Sequence, residues 1–142
     1  VRSRGLGDVY KRQQFLYQKI RKYPFSLLCT AVIWVLSLMK MPEVEVPGVE
    51  LADKWVHFIM YGGLCGVIWI EYLRCHRRSE YSTVRLFAGA WLLPAIMGGV
   101  LELLQAYCTA TRSGDWLDFA ANTIGVTLAA VIMLPIATFF KR

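Results

Sequence analysis

The chain has 142 residues, of which 56% are hydrophobic and 18% are charged, and its mean hydropathy is +0.43. Ordinary soluble domains are less apolar and more charged, so this composition argues against a soluble protein, and the length allows one domain at most. The formal net charge of +6 does not indicate nucleic-acid binding, because the basic residues have a topological explanation.

The N-terminal segment, residues 1–13, has a composition unlike the rest. Asp8 to Gln13 read DVYKRQ, which resembles the translation of a transposon-end adaptor, and no Met precedes Met39. We therefore expect residues 1–13 to be a scar that is not native, and we set it apart from the fold. Without its four basic residues and one acidic residue, the formal charge falls from +6 to +3. Residues 14–24 are expected to form a short cytoplasmic lead.

Four apolar runs follow, at roughly 25–41, 55–73, 86–107 and 117–140. Each is about long enough to cross a hydrocarbon core of ~30 Å. Such runs must be helical in lipid, because only a helix satisfies its own backbone polar groups. The sequence therefore predicts an all-α, polytopic membrane protein, with residues 25–142 forming a four-transmembrane-helix bundle.

Basic residues alternate with these runs. They lie before the first run, between the second and third runs, and at the end of the chain, whereas the other two loops are rich in Asp and Glu. By the positive-inside rule, we expect both termini of this multi-pass protein to be cytoplasmic. The basic residues concerned are Lys19, Arg21, Lys22, Arg74, Arg77, Arg78, Arg85, Lys141 and Arg142.

Small residues and one proline mark expected features of the helices. Pro94 stands one turn before Gly98 and Gly99 and predicts a kink in the third helix. Rows of small residues at four-residue spacing predict close helix packing. These rows are Gly62 and Gly66 in the second helix, and Ala121, Gly125 and Ala129 in the fourth.

Glu71 is a charged residue near the far end of the second helix. It lies ~27 Å along the helix from Asp53 at 1.5 Å per residue. We expect it to be an ordinary charge at the inner membrane interface.

Polar residues cluster near the outer end of the predicted bundle. Asp53, His57 and Tyr61 share one helix face at four-residue spacing, as do Asp118 and Asn122. Because the second and fourth helices enter from the outer side and the third ends there, we expect one polar site just beneath that surface. Its predicted binding residues are Asp53, Lys54, His57, Tyr61, Glu102, Gln105, Arg112, Asp115, Asp118 and Asn122, with Arg112 as the counter-ion of the carboxylates.

The order and spacing of these residues resemble the VanZ-like family of bacterial membrane proteins. The pattern is Asp53-Lys54, His57 and Tyr61, then Glu102 and Gln105, then Arg112, Asp115, Asp118, Asn122 and Gly125, and the resemblance extends from about residue 25 to the end. It implies a small polytopic protein of the cell envelope. The family's namesake is associated with low-level resistance to the glycopeptide antibiotic teicoplanin, but the resemblance implies no particular reaction.

Three functions fit this site. The first is binding or modulation of an envelope lipid or lipid-linked intermediate, or of a glycopeptide, with Arg112 and Lys54 contacting an anionic headgroup. The second is a hydrolase at the membrane interface, with His57 as general base and Asp53 or Asp118 orienting it. Glu102 would then be the acid or second base, and water the nucleophile. The third is a structural charge network in a protein that acts through partners.

Metal and cofactor chemistry are weakly indicated. His57, Glu102 and Asp118 could hold a metal, but their spacing matches no recognised ligand motif, so we predict no metal and no cofactor. The four cysteines form no CxxC pair and predict neither a disulfide framework nor a zinc site. The partner that the composition does predict is the lipid bilayer; the sequence leaves the oligomeric state open.

Overall fold

The computed structural model describes residues 2–39, 52–76, 80–108 and 115–141, and the elements within these ranges are helices. The all-α prediction is therefore confirmed for the described part of the chain. Six α-helices occur in chain order, with one π-helical turn, Ala88–Leu92, between the fourth and the fifth. They are α1 Arg2–Lys22, α2 Pro24–Leu38, α3 Ala52–Cys75, α4 Thr83–Phe87, α5 Leu93–Cys108 and α6 Trp116–Lys141.

The helices of the bundle alternate in direction. α3 and α6 run parallel and form the most extensive helix pair, since Lys54 contacts Asp118 at one end and Gly62 lies against Gly125 further along. α2 runs opposite to α3, because its first turn meets the last turns of α3. α5 runs opposite to α6. We call the end where α3 and α6 begin and α2 and α5 finish the site end.

Three helical segments are long and apolar enough to cross a membrane. They are Ala52–Cys75, Thr83–Cys108 and Trp116–Phe139, with mean hydropathies of 1.4, 1.7 and 1.9. The first predicted span forms α2, which has 15 described residues. At 1.5 Å per residue this helix is ~22 Å long, shorter than a ~30 Å hydrocarbon core. The structure thus supports three spans and does not confirm the fourth.

Apolar side chains cover the outside of the bundle as well as its interior. Trp69, Leu64 and Val126 are buried in the core, whereas large side chains such as Leu93 and Val131 are exposed on the surface. Water would penalise so much exposed apolar surface, but lipid does not. The bundle is therefore built for an apolar surrounding.

α3 and α6 approach each other through glycine. A Cβ added to Gly125 would collide with the carbonyl oxygen of Phe58 and lie 3.1 Å from its carbon, and one added to Gly62 would lie 3.1 Å from the carbonyl oxygen of Gly125. The predicted close packing is confirmed at these two glycines. It is wrong for Gly66, where an added Cβ would meet nothing within 4 Å.

The irregularity expected at Pro94 takes the form of the π-helical turn just before it. Proline lacks a backbone N–H, and its ring crowds the carbonyl four residues earlier, here that of Ala90. Ala90 lies within the turn Ala88–Leu92. A π turn accommodates such a break without ending the helix, so the run from Thr83 to Cys108 continues past the proline.

Glu71 is not the ordinary interfacial charge that the sequence suggested. It is 5% exposed, and its carboxylate accepts hydrogen bonds from the backbone N–H of Phe25 at 2.8 Å and of Ser26 at 3.0 Å, and from the hydroxyl of Ser26. The first N–H groups of a helix have no partner within the helix. Glu71 of α3 therefore caps the N-terminus of α2, where a negative charge also complements the helix dipole.

Candidate functional site

The site end carries an ammonium held by two carboxylates. Lys54 on the first turns of α3 contacts Asp115 Oδ2 at 2.7 Å, and it also pairs with Oδ1 of Asp118 in α6. Lys54 is therefore a counter-ion of both carboxylates, while its predicted contact with an anionic headgroup stays a prediction.

Asp115 precedes α6 and organises its first turn. Its Oδ1 accepts a hydrogen bond from the backbone N–H of Leu117 at 2.9 Å, while its Oδ2 contacts Lys54. Lys54 and the Leu117 amide both stabilise the ionised form, so the pKa of Asp115 is held below its usual value. Asp115 therefore stays charged throughout the neutral range.

Glu102 joins α5 to the same corner. Its Oε2 accepts a hydrogen bond from the backbone N–H of Asp115 at 3.2 Å, and the side chain is 8% exposed. A buried carboxylate with a single neutral donor is incompletely satisfied, because an ionised carboxylate can accept several hydrogen bonds. Glu102 thus faces the start of α6. Beyond the hydrogen bond described here, its carboxylate can accept further hydrogen bonds.

His57 lies one turn deeper than Lys54, between α3 and α6. Its Nδ1 is 3.1 Å from Oδ1 of Asn122, which is fully buried. Its Nε2 lies 3.9 Å from Asp53 Oδ1 and 3.9 Å from Asp118 Oδ2, beyond hydrogen-bonding distance. The Asn122 amide is thus the hydrogen-bonded partner of the imidazole, and Asp53 and Asp118 lie at ion-pair distance from its other nitrogen.

Asn122 also connects the site to the interior of the bundle. A Cβ added to Gly98 of α5 would lie 3.2 Å from Asn122 Nδ2 and 3.2 Å from Tyr61 Cε1. Glycine at this position lets α5 approach both side chains. Tyr61 is 1% exposed, so the structure brings it beside the cluster, as the spacing of α3 predicted.

Gln105 has a different neighbour from the other predicted site residues. Its Nε2 donates to the backbone carbonyl of Ser37 at 2.8 Å, near the end of α2. That carbonyl belongs to the last turn of α2, where the carbonyls lack partners within the helix. Gln105 thus ties α5 to α2.

Exposure falls from the rim of the cluster to its floor. The side chains of Asp53 and Asp115 are 54% and 41% exposed, that of Lys54 is 22% exposed, and those of Asp118 and His57 are about one tenth exposed. Polar groups that become progressively more buried from one open side are typical of a site entered from that side.

The described part of the cluster is acidic. Four carboxylates meet one ammonium, and the residues are Asp53, Glu102, Asp115, Asp118 and Lys54. Arg112, the predicted counter-ion, lies outside the described residues. Negative charges gathered at low exposure oppose one another and favour a cationic or hydrogen-bond-donating ligand.

The two buried contacts that the sequence reasoning missed lie away from this cluster. They are Glu71 with Ser26 and Gln105 with Ser37. Pro24 at the first turn of α2 marked a helix start with unpartnered N–H groups, and Glu71 was a lone acid in an apolar run. Together these signals could have suggested the cap, but no spacing rule joins residues 45 positions apart.

The fold and the polar cluster define a class of protein: a helical membrane protein with a buried polar site at one end of its bundle. The comparisons with known proteins agree with this class. The sequence matches the VanZ/LLP1 family over residues 7–140, which is nearly the whole chain. The protein therefore belongs to the VanZ/LLP1 family, as the motif spacing indicated. No curated protein and no solved structure matches it.

Proposed function

We propose that the protein binds the polar headgroup of an envelope lipid or lipid-linked intermediate at the site end, which faces the outside of the bacterial cytoplasmic membrane. Its role is to sequester or present that lipid. The alternation of basic and acidic loops supports this orientation, with both termini in the cytoplasm. The family's association with teicoplanin resistance makes a glycopeptide the other ligand to be tested.

One observation carries this proposal: carboxylates, an imidazole and an amide from three helices converge where apolar helices meet the open end. Polar groups inside spans are costly to insert and mark functional sites by default. The preferred headgroup offers hydrogen-bond donors, such as amine or hydroxyl groups. The reason is that Asp118, Glu102 and Asp115 are acceptors, while Lys54 is already neutralised.

A purely structural role is the second candidate, and a specific observation favours it. Lys54 links α3 to Asp115 and to α6, and Glu102 links α5 to the Asp115 amide, so three helices are joined at one corner. Removing one partner of a buried charge network leaves the other uncompensated, which destabilises a protein. A structural network predicts that folding, and not ligand retention, responds to substitution.

Native mass spectrometry of protein purified in mild detergent distinguishes the two roles. Glu102→Gln keeps the size of the side chain and removes its charge. A hydrogen bond from the headgroup to a charged carboxylate contributes ~1.5–3 kcal/mol, and this part of the binding free energy is weakened in the variant. Lipid retention by this variant should fall about tenfold or more. Thr127→Val is the matched control, because Thr127 is a polar residue of α6 that bonds Trp91 away from the cluster.

Each result of this experiment has a defined meaning. A folded Glu102→Gln protein with lost lipid retention and a control with normal retention support headgroup binding. Equal retention by a folded Glu102→Gln protein contradicts headgroup binding, and loss of folding alone supports the structural role. Adding teicoplanin in a parallel titration determines whether a glycopeptide competes for the same site.

A further inference from the structure

We propose that Asp53, His57 and Asp118 form a binding site for a divalent transition-metal ion, Zn²⁺ or Mn²⁺. One ligand atom from each residue lies within 4.8 Å of the other two. This set shares His57 and Asp118 with the proposed headgroup site, but the inference is argued from ligand geometry alone and does not depend on the proposed lipid function.

The distances suit a shared ion better than direct contacts. Nε2 of His57 is 3.9 Å from one carboxylate oxygen of Asp53 and 3.9 Å from one of Asp118. These separations are too long for hydrogen bonds. Two ligand atoms that each lie about 2.1 Å from one zinc ion are roughly 3.4–4.2 Å apart, depending on the angle between them.

His57 is positioned as a metal-binding histidine would be. In the tautomer that donates from Nδ1 to Oδ1 of Asn122 at 3.1 Å, the lone pair of the neutral imidazole is on Nε2. A lone pair aimed at two carboxylates is unfavourable unless a proton or a metal ion lies between them. Metal-binding histidines typically donate their other ring N–H to a carbonyl or carboxylate, as His57 does to the Asn122 amide.

Burial distinguishes this set from a surface cluster of acids. His57 and Asp118 are each 7% exposed, and Nε2 of His57 lies within ion-pair distance of Asp53 and Asp118 without a hydrogen bond to either. Asp118 uses its other oxygen on Lys54, which keeps the oxygen that faces His57 in place. Asp53 is the most exposed of the three ligands, with a side chain that is 54% exposed.

The ligand chemistry selects the metal. One imidazole and two carboxylates suit zinc or manganese better than copper(I), which prefers thiolates, or calcium, which prefers an all-oxygen set. Three protein ligands leave a coordination position for water, as in open zinc sites. The ion would also offset the excess of carboxylates in the described cluster.

Metal binding is measured on full-length protein in detergent after removal of metals with a chelator and without added lipid. Mn²⁺ is followed by electron paramagnetic resonance, since manganese avoids the four free cysteines. Zn²⁺ is then titrated as a competitor. One ion per chain is expected for wild type. His57→Gln and Asp118→Asn should each weaken binding at least about tenfold, since even outer-shell changes cost 10–100-fold.

Asp115→Asn is the matched control. It removes the same charge from the same cluster and the same Lys54 contact, but from a residue outside the ligand set. Its Mn²⁺ affinity should stay within about threefold of wild type, as expected for an exposed charge. Asn122→Leu, which removes the acceptor for Nδ1, should weaken binding by about 10–100-fold.

Two results would overturn the metal site. One is a wild-type protein that binds neither Mn²⁺ nor Zn²⁺ stoichiometrically. The other is an Asp115→Asn variant whose Mn²⁺ affinity is as low as that of Asp118→Asn. If a variant fails to fold, as judged by circular dichroism and gel filtration, Asp53→Asn serves in its place because Asp53 lies at the rim. Lipid retention is recorded separately, so failure of one proposal leaves the other measurable.

Discussion

A Cβ added to Gly125 of α6 would collide with the carbonyl oxygen of Phe58 in α3. This contact sets how closely α3 and α6, the most extensively packed pair of helices, approach each other. Lys54 and His57 of α3 meet Asp118 and Asn122 of α6 within about two helical turns of it. The geometry of the polar cluster therefore depends on a glycine that takes no part in its chemistry.

Gly125→Ala should consequently destabilise the protein and disturb the cluster. The added methyl group meets backbone, which cannot rotate away, so the cost is expected at about 1–3 kcal/mol or more. The unfolding free energy in detergent, measured with a steric-trap or denaturant method, checks this. Gly66→Ala is the control, since open space surrounds Gly66, and alanine should stabilise the helix by about 0.5–1 kcal/mol. Equal stability of the two variants would contradict the close contact.

Glu71→Gln should destabilise the opposite end of the bundle. The amide retains one acceptor oxygen, so one of the α2 N–H groups that Glu71 satisfies loses its partner, at about 1–3 kcal/mol. Thermal unfolding followed by circular dichroism measures the loss. Glu80→Gln provides the same chemical change at an exposed residue, and it should leave the unfolding temperature nearly unchanged. If Glu71→Gln unfolds at the wild-type temperature, the cap contributes nothing to the stability of the protein.

The pH dependence of Asp115 follows from its pairing with Lys54. The folded-state pKa lies below the ordinary value of 3.8, so the pair contributes fully above that value and is lost as the pH falls through the lowered pKa. A ¹³C-detected titration of the Asp115 carboxyl group should give a midpoint below about 3.8 in wild type. Lys54→Met should move the midpoint upward. An unchanged midpoint in Lys54→Met would exclude the ammonium as the cause.

The tautomer of His57 offers a direct test of its hydrogen bond to Asn122. With the Asn122 amide placed so that Oδ1 faces the ring, the proton is expected on Nδ1 when the imidazole is neutral, because that oxygen can only accept. ¹⁵N chemical shifts of the labelled imidazole should show a protonated Nδ1 and an unprotonated Nε2 at neutral pH in metal-free protein. Asn122→Leu should remove this preference. A proton on Nε2 in wild type would mean that the ring donates toward Asp53 or Asp118 instead.

Much of this arrangement could be predicted from the sequence because it is periodic. Four-residue spacing placed His57 and Tyr61 on one face of α3, and Asp118 and Asn122 on one face of α6, and the apolar runs located the helices. Pairing across helices could not be predicted in the same way. Nothing in the spacing shows that Lys54 would pair with Asp115 and Asp118, or that Asn122 would bond His57, because contacts 60 or more residues apart depend on packing.

The periodicity also could not predict where the helices end or how their ends are capped. The length of the first apolar run predicted a span, but the described helix α2 has 15 residues. Its capping by Glu71 depends on how α2 docks against α3, which no local pattern encodes. That residues 1–13 are foreign to the native protein stays a prediction; this segment lies within α1, and the family match begins at residue 7.

A charge exchange between Lys54 and Asp118 tests most directly whether the cluster binds a headgroup or only fixes the fold. The double variant Lys54→Asp with Asp118→Lys restores the ion pair between α3 and α6 but moves the ammonium to the opposite helix. We expect it to unfold at a higher temperature than Lys54→Asp alone, in which Asp115 and Asp118 both face a carboxylate, and to lose lipid retention in native mass spectrometry. Wild-type lipid retention in the stable double variant would contradict a headgroup site built on these side chains.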